Sequence, residues 1–238
     1  MENPLIIALD FPDAKKVKEF LSDFRDSGLF LKVGMELYYQ NGPSIIYTLK
    51  ELGHKVFLDL KLHDIPNTVK SAMKGLASLE PDIVNVHAAG GKRMMESALE
   101  GLDAGTGAGK KRPMCIGVTQ LTSTSQLQMQ NEQLIKETLD ASVLHYAKLV
   151  SDSGLDGAVC SIHEVERIHE HLGTGFFTVA PGIRVKENDI HDQNRVATPE
   201  QARSAGADAI VCGRAITGSA DPAQAYKTIL KAWKGTRV

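Results

Sequence analysis

Val56-Phe57-Leu58-Asp59-Leu60-Lys61-Leu62-His63-Asp64-Ile65-Pro66-Asn67-Thr68 is the stretch from which the chain is best read. Its opening residues, Val56 to Leu60, form an apolar run of strand length, and Pro66 then opens a helical pattern over 66–79, because the first turn of a helix has no use for the N–H that proline lacks. The stretch is therefore one βα unit with charge at the strand end. Side chains alternate along a strand, so Asp59 and Lys61 project to one side and Leu60 to the other. Two ions buried together need partners to offset their desolvation, which places Lys32 and Asp64 among the expected neighbours. An isolated Asp-x-Lys fits two readings, a structural ion pair or a reactive site.

The same unit recurs on either side. Apolar runs at Leu5–Leu9, Phe30–Val33, Val56–Leu60, Ile83–His87, Met114–Val118, Gly157–Ser161, Phe176–Ala180 and Ala209–Cys212 alternate with helical patterns near 13–26, 43–52, 66–79, 91–103, 132–152, 164–172, 199–205 and 222–233. Thr198-Pro199-Glu200-Gln201 carries an N-cap, a first-turn proline and a glutamine at N3, and Asp221-Pro222 repeats the cap and proline. Gly53 and Gly206 stand where a left-handed residue ends a helix. Alternating units imply parallel strands joined by right-handed crossovers, and their number points to a single (β/α)₈ TIM barrel over residues 1–238 rather than an open sheet. Two long polar segments, Thr119 to Asn131 and Gly182 to Ala197, follow strands and so belong to the face where barrels place substrate loops. Gly105-Thr106-Gly107-Ala108-Gly109-Lys110-Lys111 resembles a phosphate loop only superficially; it precedes a strand and lacks the Ser/Thr that should follow its lysine, and is read as a helix exit and loop.

Composition excludes several partners. The 238 residues carry a net charge of −2 with no basic stripe, and 5% aromatics give few stacking platforms, so nucleic acid is not expected. No apolar stretch approaches a membrane span and the N-terminal run is too short for a signal peptide, so a cytoplasmic protein with no membrane partner is expected. Cys115, Cys160 and Cys212 lie singly in apolar segments, as small buried hydrophobes suited to a reducing compartment. His163, His169 and His171 lack the zinc-protease spacing and are read as a solvated helix face; no metal is expected.

Projecting the strand ends onto one face of the barrel gathers Asp10, Lys32, Asp59, Lys61, Asn85 and His87. The ends of strands 7 and 8 add Pro181-Gly182-Ile183-Arg184 and Gly213-Arg214, a glycine and two guanidinium groups suited to a phosphate dianion. Ala8-Leu9-Asp10, Leu31-Lys32-Val33-Gly34, Asp59 through Thr68, Asn85-Val86-His87-Ala88, Leu121-Thr122-Ser123, Pro181 through Arg184 and Val211-Cys212-Gly213-Arg214 together make the chain resemble the orotidine 5′-monophosphate decarboxylases over essentially its whole length.

The resemblance implies a catalytic array of Lys32, Asp59, Lys61 and Asp64. It further implies a homodimer in which Asp64 enters the neighbouring subunit's site. Asp10, Lys32, Asp59 and Thr68 would contact the nucleotide, Thr122 and Gln193 would reach the pyrimidine and phosphate from the two long loops, and Arg184, Gly213 and Arg214 would hold the phosphate. No cofactor is implied. Two other readings stay open at this point: a magnesium-dependent sugar-phosphate decarboxylase or aldolase with a similar barrel, and a non-catalytic barrel that binds a phosphorylated ligand. Ile65-Pro66-Asn67-Thr68 after Asp64 weighs against the first, and a lysine between two aspartates weighs against the second.

Overall fold

The computed structural model describes residues 3–24, 28–184 and 197–235. Eight strands close into an all-parallel barrel in sequence order: β1 (Leu5–Ala8), β2 (Phe30–Gly34), β3 (Lys55–Leu62), β4 (Ile83–His87), β5 (Met114–Val118), β6 (Gly157–Val159), β7 (Phe177–Ala180) and β8 (Ala209–Cys212). The described helices are α1 (Ala14–Leu21), α2 (Met35–Asn41), α3 (Ser44–Glu51), α4 (Pro66–Ala77), α5 (Lys92–Gly105), α6 (Gln126–Glu132), α7 (Leu139–Asp152), α8 (Ile162–Leu172), α9 (Pro199–Ser204), α10 (Arg214–Thr217) and α11 (Pro222–Lys234). The TIM barrel expected from the alternation of units is thus the observed fold.

Strand alternation divides the apolar residues into two cores. Inside the barrel, Ile6, Ala8, Phe30, Phe57, Ile83, Ile116, Val179, Ala209 and Val211 pack together. Their outward-facing neighbours, such as Ile7, Leu31, Val56, Leu58 and Val84, pack with the helices. Two residues beyond an inward apolar side chain stands the next inward position, so Ala8 leads to Asp10, Phe30 to Lys32, Phe57 to Asp59 and Ile83 to Asn85. The period of two that builds the apolar floor also sets the polar groups above it.

Capping residues fix several helix starts. Asp13, Ser125, Thr138, Thr198 and Asp221 each accept a first-turn N–H, and Thr198 with Gln201 forms the reciprocal cap expected from sequence. Gly53 and Gly206 take φ of 79° and 78°, as their helix-ending positions require.

Several expectations are corrected. The helix expected at 132–152 begins only at Leu139: α6, Gln126–Glu132, ends where it was to start, Leu134 takes φ of 58° in the segment between, and Thr138 caps α7. Part of the supposed loop 119–131 is therefore helical. The short helix α2 follows β2 without a capping side chain and was not expected. Gly105, read as a helix exit, is the last residue of α5. A Cβ on Gly101 or Gly105 would collide with the main chain of Lys70 or Lys74, so these glycines let α5 lie against α4.

His169 also departs from its expected place. Its side chain is largely enclosed, with Nε2 3.1 Å from the Phe176 carbonyl oxygen and 3.4 Å from Asp208 Oδ2, whereas His163 and His171 are exposed. The three cysteines are buried and form no disulfide. Burial raises the thiols of Cys115 and Cys212 to about 12, which leaves them protonated and inert.

Candidate active site

The C-terminal ends of the strands surround a cavity of about 440 Å³. Its floor is apolar, with Ala8, Phe57, Val118, Val159, Val179 and Val211, and its wall carries Asp10, Lys32, Asp59, Lys61 and Asn85. Across from them stand Gln120, Leu121, Thr122, Arg184, Gly213 and Arg214. An apolar floor with a few convergent polar groups is the general form of a small-molecule site. A second cavity, of about 490 Å³, lies at the N-terminal ends of β3, β4 and β5. Size does not make it the site: three of the five cations that line it are engaged by carboxylates, Lys50–Asp82 at 3.0 Å, Lys110–Glu80 at 3.1 Å and Arg112–Asp156 at 3.0 Å.

Four charges of alternating sign run along the upper wall. Asp10 Oδ1 lies 3.3 Å from Lys32 Nζ, Lys32 Nζ lies 3.4 Å from Asp59 Oδ2, and Lys61 Nζ donates to Asp59 Oδ1 at 2.6 Å. Asp59 is only 7% exposed. Burial alone would raise its pKa, but the Lys32 and Lys61 ammonium groups, with hydrogen bonds from Lys61 and Asn85, outweigh that effect and hold the carboxyl below its ordinary range. Asp59 is therefore ionised at neutral pH and fixes two ammonium groups at the cavity wall.

Lys61 reaches this position through a break in the strand ladder. Leu58 pairs with Val84 but Leu62 pairs with Val86, so β3 spends two more residues than β4 over the same rise, and Lys61 turns to φ of 50°. Asn85 fills the break: its Oδ1 accepts the Lys61 main-chain N–H at 2.8 Å, and its Nδ2 donates to Asp59 Oδ1 at 2.6 Å. His87, two residues further along β4, has its ring centroid 5.5 Å from that of His63. Burial, then the charges of His63 and Lys61, lower the His87 pKa despite an opposing pull from Asp59, so its imidazole is neutral at pH 7.

Most of the residues expected in the site do meet there: Asp10, Lys32, Asp59, Lys61, Thr122, Arg184, Gly213 and Arg214 all border the cavity. Arg184 is buried, and its Nη1 donates to the Ile183 carbonyl at 3.0 Å. Asp64 and Thr68 do not border it. Both are exposed around the start of α4, and Asp64 Oδ1 accepts the Ile65 N–H at 2.6 Å, so within one chain Lys61 is paired by Asp59 and not by Asp64. Gln193 lies outside the described residues. Sequence reasoning gave no role to Gln120, which is buried and donates to Gln133 Oε1 at 3.1 Å and Ser142 Oγ at 3.2 Å, tying the cavity wall to the segment before α7 and to α7 itself. A buried glutamine inside a polar segment leaves no periodic signal by which to find it.

Comparison with known proteins agrees with this geometry. Residues 3–229 match the family model described as "Orotidine 5'-phosphate decarboxylase / HUMPS family". The chain is 58% identical over 238 residues, all of both chains, to an orotidine 5'-phosphate decarboxylase of Bacillus cereus (strain Q1). It is 59% identical over 235 residues, 99% of this chain and 98% of the other, to one from Geobacillus sp. (strain WCH70). The crystal structure of orotidine 5'-phosphate decarboxylase from Lactobacillus acidophilus superposes with a TM-score of 0.88 at 43% identity, covering 98% of this chain and 99% of that one. With the match spanning barrel, charge array and cation-lined cavity mouth alike, the chain belongs to the orotidine 5'-phosphate decarboxylase / HUMPS family.

Proposed function

We propose that this chain is a metal-free decarboxylase that converts orotidine 5′-monophosphate to uridine 5′-monophosphate and carbon dioxide in pyrimidine biosynthesis. The observation that carries the reading is the Lys61 ammonium, 2.6 Å from the buried Asp59 carboxylate in a cavity also bordered by Arg184 and Arg214. The C6–carboxylate bond breaks, its electron pair stays on C6, and carbon dioxide leaves. That pair occupies an sp² orbital in the ring plane and has no adjacent π system to receive it. Lys61 places positive charge where the negative charge develops and then supplies the proton that C6 takes up. Asp59 holds Lys61 in place and Lys32 closes the array. Repulsion between Asp59 and the substrate carboxylate would relax as carbon dioxide departs, a smaller contribution than the charge placed by Lys61. Asp10, Lys32 and Asp59 contact the nucleotide, Thr122 and Gln193 meet base and phosphate, and Arg184, Gly213 and Arg214 hold the phosphate.

The position of Asp64 supports a homodimer. An acidic side chain exposed beside Ile65, 67% exposed, with Met35 and Tyr39 also exposed on the helix that follows β2, suits a face covered by a second copy. In that dimer Asp64 and Thr68 complete the neighbour's site, and residues 1–238 act as one catalytic domain. The three buried cysteines, none of them in a disulfide, fit a cytoplasmic setting.

The test is loss of orotidine 5′-monophosphate absorbance with purified protein in excess EDTA, beside Lys61→Ala. Turnover that ignores the chelator and vanishes in the variant, with uridine 5′-monophosphate binding kept, is the expected result. Chelator-sensitive turnover of sugar phosphates instead would move the reading to the magnesium-dependent enediolate enzymes.

A further inference from the structure

We infer that Asn85 is a positioning residue for decarboxylation, holding both the Lys61 backbone and the Asp59 carboxylate in their working geometry. The inference rests on the decarboxylase reading above. Asn85 is 1% exposed and sits inside the barrel one step above Ile83 and level with Ile116 of β5, both apolar, while on its other side it meets Asp59 and Lys61 of β3. A buried amide is costly there unless its hydrogen bonds are made, so an apolar residue would pack at least as easily. What the amide supplies is one acceptor and one donor in a fixed relation, and both are used at the reactive strand end.

The acceptor answers a specific defect. Over residues 58–62 β3 leaves the regular ladder, and Lys61 takes φ of 50°, a left-handed conformation that a non-glycine residue does not hold unaided. The Lys61 N–H, which a regular strand would give to a backbone carbonyl, goes to Asn85 Oδ1 at 2.8 Å. The donor acts on the partner charge: Asn85 Nδ2 and Lys61 Nζ both reach Asp59 Oδ1 at 2.6 Å, leaving Oδ2 toward Lys32. One carboxamide thereby sets where the Lys61 side chain starts and where the carboxylate that receives its ammonium points. The amide orientation is fixed by this network, since a carboxylate takes only donors and an N–H takes only acceptors. The charged and titratable groups around it are Asp59 and Lys61 from β3, Lys32 from β2, His87 from β4 itself and Asp10 beyond β1.

Asn85→Leu, similar in volume, and Asn85→Asp, similar in shape, separate positioning from packing. In Asn85→Leu, kcat should fall about 10- to 100-fold, the usual scale for removing a group that orients a reactive one. Binding of uridine 5′-monophosphate should stay within about threefold, because the phosphate contacts are untouched. Independently of turnover, hydrogen exchange at the Lys61 amide should accelerate in this variant while amides of the β7 and β8 strands keep their protection. Asn85→Asp should be most active toward acid pH, where a protonated carboxyl still donates to Asp59, and lose activity as the pH rises and two carboxylates face each other, over a range in which wild type changes little. Unchanged kcat, or reduced kcat with an unaltered Lys61 amide and pH profile, would overturn the inference. If Asn85→Leu does not fold, the pH profile of Asn85→Asp decides. Wild-type protein assayed alongside separates the two failures: no wild-type turnover removes the decarboxylase reading, whereas the amide exchange still tests what Asn85 holds.

Discussion

Asp59 shows how one buried group serves both stability and chemistry. Its pKa is lower in the folded chain than in the unfolded one, because two ammonium groups and two hydrogen bonds outweigh its burial. A depressed carboxyl contributes stability that is present above the unfolded value and is lost as pH falls toward and through the folded one. Asp59→Asn should therefore lower Tm at pH 7, with the difference from wild type shrinking below about pH 4, as thermal unfolding across pH would record. Equal differences at pH 7 and pH 3 would mean that packing, not charge, accounts for the loss. Arg214 acts at the other end of the cavity. Phosphate contacts far from the breaking bond supply binding energy that is used at the reacting carbon. Arg214→Ala should reduce kcat/KM for orotidine 5′-monophosphate by orders of magnitude yet leave the slow turnover of orotidine, which has no phosphate, nearly unchanged. A parallel loss on both substrates would assign Arg214 a structural role instead.

At the scale of elements, small residues decide how close the layers approach. Alanine in place of glycine inside a helix is favourable by up to about 1 kcal/mol on propensity alone. At Gly101, however, a Cβ would run into the Lys70 main chain of α4, and overpacking a tight contact costs typically 1–3 kcal/mol. The second effect wins, so Gly101→Ala should destabilise the fold by about 1 kcal/mol or more in urea unfolding, the opposite sign to propensity. Elements marked by periodicity and caps were legible in the sequence: the eight strands, α9 with Thr198 and Gln201, and α11 with Asp221. Elements whose cause is not periodic were not. The helix α2 begins at Met35, after a Gly34 that offers no capping side chain, and the hydroxyls and amides of 119–131 read as loop although Ser125 caps α6. Alternation placed Asp59 and Lys61 on one side, and they do meet, but through a ladder irregularity and a left-handed Lys61 that alternation cannot foresee. Asn85 was visible as an inward residue, yet its two hydrogen bonds depend on that same irregularity.

The whole molecule raises a different question, because one chain holds Asp10, Lys32, Asp59 and Lys61 around its cavity but leaves Asp64 outside it. If Asp64 completes a neighbour's site, the enzyme is a two-fold dimer in which each site draws residues from both copies, and that arrangement can be tested by mixing. Lys61→Ala and Asp64→Ala homodimers should each be nearly inactive. A mixed dimer has one site carrying both defects and one carrying neither, since the intact Lys61 of one copy meets the intact Asp64 of the other. Random exchange makes about half of the dimers mixed, with one of their two sites restored, so activity should return to about a quarter of wild type. Recovery should follow the rate of subunit exchange and disappear on dilution below the dimer's dissociation constant. Absence of any recovery, in a sample that sedimentation shows to contain mixed dimers, would place Asp64 outside the neighbouring site and leave Asp59 as the carboxylate that holds Lys61.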